Sequence, residues 1–161
     1  MSLIIKDKIP MFKIGYPTVS DKYNITGGIL TGRDPVAFGR LVKFSGTNGY
    51  YEAITEAVTV DQIAGFVLAT NVKLATDYPA TKWEVLPGEA FNLVLPGSYL
   101  AIELDEAAVE SDVLANKQVY AIPATGKCTT VSENNLALPG VVFTGMSEKQ
   151  GSKLVAEILV K

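Results

Sequence analysis

Arg40-Leu41-Val42-Lys43-Phe44, the turn Thr47-Asn48-Gly49, the short run Tyr50-Tyr51-Glu52-Ala53-Ile54 and then Gly65-Phe66-Val67-Leu68-Ala69 decide how this chain is read. With Asp34-Pro35-Val36 in front, they make a unit over residues 34–69. The theme recurs over residues 112–144. There Asp112-Val113-Leu114 leads through Lys117-Gln118-Val119-Tyr120, a Thr125-Gly126 turn and a further short strand to Gly140-Val141-Val142-Phe143-Thr144. Each copy reads as short, half-buried strands joined by tight glycine turns. The repetition predicts an all-β fold, a compact β-barrel or β-sandwich assembled from two pseudo-repeated halves.

Outward from these units, turn signals recur roughly every eight to twelve residues from Val36 onward, the spacing of an all-β domain. Ser45-Gly46-Thr47-Asn48-Gly49 is the strongest hairpin signal, because Asn-Gly supplies the positive φ angles of a type I′ turn. Strands are also expected at residues 65–70, 83–86, 91–95, 98–104, 119–122, 127–131, 141–144 and 153–160. Brief helical turns are expected only at 58–62 and 105–110, and residues 70–82, with Pro79, read as a surface excursion.

The first 33 residues differ from the rest. Large apolar side chains are scattered among lysines, Pro10, Pro17 and Gly15 without helical period, which predicts an extended N-terminal arm. The turn cluster Gly27-Gly28 with Thr31-Gly32-Arg33-Asp34-Pro35 sets the boundary, giving an arm over 1–33 and a single β domain over 34–161. The arm's anchors are Ile4, Ile5, Ile9, Met11, Phe12, Ile14 and Tyr16, with Lys6, Lys8 and Lys13 beside them. Their burial is expected to come from a partner surface, so removing residues 1–26 should leave the β body folded.

The net charge of −3 conceals a division. Residues 1–33 hold Lys6, Lys8, Lys13, Lys22 and Arg33 against Asp7 and Asp21, and the remainder is strongly acidic. A basic arm on an acidic body suits docking on acidic protein surfaces, or pairing between copies, better than binding nucleic acid. The charged fraction, 19%, lies below the usual quarter, which points to surface covered by a partner or by a homo-oligomer, dimer or trimer.

The 161 residues contain no histidine, which removes the commonest general base, the usual serine and cysteine triads and most zinc sites. Neither a metal nor a cofactor is expected, and no catalytic residue is assigned. The single Cys128 reads as buried and inert. Glu103, Asp105, Glu106, Glu110 and Asp112 form a dense acidic run that lacks the glycine of a calcium loop, so a solvated loop or inter-subunit salt bridges are expected. Trp83, Tyr50, Tyr51, Tyr78 and Tyr99 leave a sugar-stacking platform open, which keeps a carbohydrate-binding or adhesion module as the alternative reading. A small carboxylate-based hydrolase or lyase is a further one. No phosphate loop, membrane span or signal peptide is read.

A Gly-flanked strand over residues 34–44, the return pair Ala53-Ile54, Gly65-Phe66-Val67-Leu68, Pro87-Gly88-Glu89 before an alternating strand, and Gly97 together resemble the capsid decoration, or structural cement, proteins of tailed bacteriophages. The second half repeats the theme through Val119-Tyr120, Thr125-Gly126, Pro139-Gly140 and Val141-Val142-Phe143. The resemblance covers about residues 30–160 and rests on turn spacing and apolar alternation. It implies a non-enzymatic virion protein, made in the host cytoplasm, that binds the outside of the mature capsid and bridges major capsid protein subunits. It carries over no catalytic residue, only the arm and exposed loops.

Overall fold

The computed structural model describes residues 11–19, 22–69 and 84–161. Its strands in chain order are β1 (Asn24–Thr31), β2 (Val36–Ala37), β3 (Leu41–Phe44), β4 (Tyr50–Ala53), β5 (Ile63–Leu68), β6 (Glu84–Val85), β7 (Ala90–Leu95), β8 (Ser98–Glu103), β9 (Gln118–Ala121), β10 (Cys128–Thr129), β11 (Leu136–Gln150) and β12 (Lys153–Val160). The fold is all-β, as the turn spacing predicts. Among the described residues the helical pieces are single 3-10 turns, Val60–Gln62 and Glu110–Asp112. The second overlaps the expected 105–110 only at Glu110.

β1, β4, β3, β5 and β7 close into a barrel, in that order. A second sheet runs β10-β9-β11-β12-β8, and its two ends meet where Leu104 bridges Cys128 in parallel. The two halves share one wiring. In each, the first strand runs parallel to the third, the second pairs with the third and fourth, and the fifth lies between the fourth and the first. The sequence repeat over 34–69 and 112–144 thus marks the middle of each unit, β3-β4-β5 and β9-β10-β11. The complete units begin at β1 and β8, and the β2–β6 ribbon belongs to the first alone.

Strand alternation distributes the side chains between two cores. Val42, Val67, Phe91 and Leu93 fill the first barrel with Leu30 and Tyr51. On the opposite faces of the same strands, Leu41, Phe66, Leu68 and Val94 join Leu100, Ile102, Val119, Phe143 and Ile158 of the second sheet. Burial on both faces is why β5 and β7 read as apolar runs, Phe66-Val67-Leu68 and Leu93-Val94-Leu95.

Several sequence expectations shift. β1 falls inside the stretch assigned to the arm, yet it closes the barrel against β4 and β7. A deletion of residues 1–26 would therefore cut into the barrel wall. The hairpin at residues 45–49 exists, but Gly46 and Gly49 hold its positive φ angles and Asn48 does not, so the turn is not type I′. β11 is far longer than 141–144, because Pro139-Gly140 and Gly145 sit at irregularities within one strand instead of ending it.

Residues 11–19 and Lys22 form a strap along β8. Gly15 donates its N–H to the Ala101 carbonyl at 2.8 Å and accepts from the Ala69 N–H at 2.7 Å, joining the second sheet to the end of β5. It sits at φ +78°, and an added Cβ would meet the Phe38 Cβ and lie 2.9 Å from the Gly39 nitrogen. Left-handed strain and overpacking add, so Gly15→Ala should cost about 2–4 kcal/mol in denaturant unfolding. Gly46→Ala, also left-handed but facing open space, should cost clearly less. Equal losses would show that the strap crossing is not tightly packed.

Candidate functional site

Of the ten arm residues read from the sequence, Ile4, Ile5, Lys6, Lys8 and Ile9 lie outside the described residues. The other five are on the strap. Phe12, only 6% exposed, packs on Ala101 and Val155, with Ile14 beside it, and Tyr16 packs on the first barrel's core. The burial expected from a partner is thus supplied to these three by the chain itself. Met11 is 54% exposed, and Lys13 places its ammonium 4.0 Å over the Tyr16 ring.

A carboxylate latch holds the root of the strap. The Met11 and Phe12 N–H groups donate to the two Glu148 oxygens at 2.9 and 2.7 Å. The Gln150 amide donates to Glu148 Oε1 at 2.7 Å and to the Phe12 carbonyl at 2.6 Å. Sequence reading missed this pair, because nothing local in Glu148-Lys149-Gln150 points to a partner more than a hundred residues away. A cavity of ≈ 640 Å³ lies beside the strap, lined among others by Phe12, Tyr16, Phe38, Glu84 and Lys153.

The acidic run lines a second hollow of ≈ 660 Å³. Glu103 pairs with Lys153 at 2.9 Å, Glu110 with Lys149 at 3.4 Å and Asp105 with Lys127 at 3.8 Å. The salt bridges expected between subunits are thus made within the chain. Among the described residues no three carboxylate or thiol groups converge on a cation position. Glu106 and Asp112 are exposed.

The aromatic residues do not gather on one described face. Tyr50 and Tyr51 point to opposite sides of β4, and Tyr51 is buried edge-on against Phe91 with ring centroids 5.6 Å apart. Trp83 and Tyr78 lie outside the described residues. An apolar surface forms instead on the outer face of the first barrel, where Tyr23, Ile25, Ile29 and Tyr50 are exposed and Ile29 stands opposite Tyr50 in the register, while exposed Phe44 lies on the other face beside Tyr51, with ring centroids 6.0 Å apart. Lys43, bridging to Glu52 and Glu56 at 3.7 and 3.2 Å, flanks it.

Cys128 is buried where the ends of the second sheet meet, and desolvation of the thiolate pushes its pKa to about 12. That raised value favours the folded state only while the thiol is protonated. Folding should therefore lose stability as pH climbs from 9.0 toward 12, where an unfolded chain releases the proton and the folded one keeps it. Alkylation by iodoacetamide near neutral pH should be slow until denaturant is added, and rapid labelling of the native protein would contradict the burial. At the latch, Glu148→Ala removes three charge-assisted bonds, two of them to the strap backbone, worth about 1.5–3 kcal/mol each. Trypsin cleavage after Lys13 should then accelerate, and an unchanged rate would show that the latch does not hold the strap.

The profile of the XM1 gp53 minor capsid protein family matches residues 8–156, nearly the whole chain. A chain in the solved structure of the capsid of Myoviridae phage XM1 shares the fold, with a TM-score of 0.72 and 17% sequence identity, covering 100% of this chain and 97% of that one. No curated protein matches the sequence. The chain belongs to the XM1 gp53 minor capsid protein family, a family of phage capsid-associated proteins.

Proposed function

We propose that this member of the XM1 gp53 minor capsid protein family is a decoration, or cement, protein that binds the outside of the mature phage capsid and bridges adjacent major capsid protein subunits. Its role is structural and non-enzymatic. The observation that carries the reading is the exposed apolar surface of Tyr23, Ile25, Ile29 and Tyr50 on a closed barrel, in a chain of a minor capsid family. A contiguous apolar patch on a rigid wall is costly to leave in water and marks a contact face.

Bridging stabilises a shell through linkage. A protein that binds the assembled capsid and not its separated subunits shifts the equilibrium toward assembly, by about 2.7 kcal/mol per site at a hundredfold excess over Kd. The strap fixes where the N-terminal segment leaves the body, and Ile4, Ile5, Lys6, Lys8, Ile9 and exposed Met11 are the arm residues proposed to reach the neighbouring capsid surface. Phe12, Ile14 and Tyr16 anchor that arm on the body. Dimers or trimers of the protein would suit local symmetry positions of a shell.

Co-sedimentation with undecorated capsids tests the proposal. The full chain should pellet with capsids, and bound protein should raise the temperature at which heads release DNA. Deleting residues 1–10 should weaken binding, more so at low salt, where lysine steering is strongest. Ile29→Asp, at an exposed position, should weaken binding with little change in melting. Full-length protein that stays in the supernatant at micromolar capsid concentration would sink the reading.

A further inference from the structure

The two halves do not treat their first strands alike. Asn24 stands opposite Leu95 and Ser98 opposite Val160, and from those pairs Ile25 corresponds to Tyr99 and Gly27 to Ala101. The parallel contacts keep the same frame, since Leu30 meets Tyr51 and Leu104 meets Cys128. In the second half, the edge of β8 that faces away from β12 is filled by the strap. Thr18 N–H donates to the Tyr99 carbonyl at 3.2 Å and Tyr99 N–H to the Lys22 carbonyl at 3.1 Å. Gly15 N–H donates to the Ala101 carbonyl at 2.8 Å and Ala101 N–H to the Tyr16 carbonyl at 3.2 Å. Over the small Ala101 side chain the strap lays Phe12.

Among the described residues nothing fills the equivalent edge of β1. β4 pairs only with Ile29, Leu30 and Thr31, and the Ile29 N–H donates across to the Gly49 carbonyl at 3.0 Å. By strand alternation, the N–H and C=O groups of Ile25 and Gly27 face the same side as those of Ile29. No described residue bonds them there, and residues 22–27 are exposed. Gly27 adds a second observation. Its φ is not left-handed, and a Cβ there would meet nothing within 4 Å, so neither backbone geometry nor internal packing requires glycine. A glycine inside a strand weakens it and marks a place where another backbone comes close.

We infer that the β1 edge at Asn24–Gly28 is a strand-addition site, which takes an extended segment of a neighbouring capsid subunit just as β8 takes the strap. The occupant's chemistry follows from the filled copy. It is an extended polypeptide, paired through its backbone to Ile25 and Gly27, that lays a bulky apolar side chain over Gly27 beside exposed Ile25 and Ile29. The inference rests on the capsid-bound reading above and names how the partner is held.

The full-length G27E variant tests it, because the added side chain enters open space on the outer face and puts a charge where the incoming strand's apolar side chain must lie. The melting temperature should match wild type, while binding to undecorated capsids falls by at least about tenfold. In wild type, amide hydrogen exchange at Ile25 and Gly27 should be fast in free protein and slow on capsids. Wild-type affinity in G27E, or binding without protection of those two amides, overturns the strand-addition site while leaving capsid binding intact. If free wild-type protein self-associates and G27E does not, the occupant is a second copy and the capsid-segment assignment fails. Failure of wild type itself to bind capsids removes the proposed function, and the inference with it.

Discussion

Burial of β3, β5 and β7 on both faces is the constraint from which the rest of the molecule is built. One face of these strands fills the first barrel and the other closes the core of the second sheet, so neither half has a complete apolar interior without its neighbour. Interiors pack at crystal-like density, and such a shared wall transmits any displacement of one half to the other. This explains how two copies of one small wiring make a single domain. Each five-stranded unit alone would leave a sheet of Phe, Leu and Val side chains in water.

Sheet edges are the second constraint. A row of unpaired backbone groups invites association, and this chain blunts its edges in two ways, by closing strands upon themselves and by laying the strap over β8. The strap depends on particular residues: Gly15 at the crossing of the halves, Phe12 in a pit over Ala101, and Glu148 with Gln150 gripping its root. An edge that no described residue fills, in a protein that covers its counterpart so thoroughly, is a specific feature of β1.

The charged groups serve the fold more than any chemistry. Of the carboxylates that read as a cluster along the sequence, Glu103, Asp105 and Glu110 are spread over the hollow beside β8, each opposed by a lysine from another loop or strand. Exposed pairs of this kind contribute little to stability, about 0–1 kcal/mol each. They do keep the acidic run from repelling itself, which leaves apolar surface and backbone as the means of recognition.

The sequence by itself determined the fold class, the repeat and the family resemblance. Alternation and glycine turns are local signals, carried by stretches such as 40–54 and 117–131 within one or two turns of chain. It also settled that Cys128 is buried, since a lone thiol in a short apolar strand has few other places to go. It did not settle where the arm ends, because Gly27-Gly28 signals a turn in sequence and becomes strand once distant β7 pairs with it through Asn92 and Phe91. Nor did it place Phe12, Ile14 and Tyr16, whose burial depends on Ala101, Val155 and the first barrel's core far along the chain. Only the tertiary structure decided which edge the strap covers and which no described residue fills. That difference arises from pairings between distant segments, and no local pattern of residues encodes them.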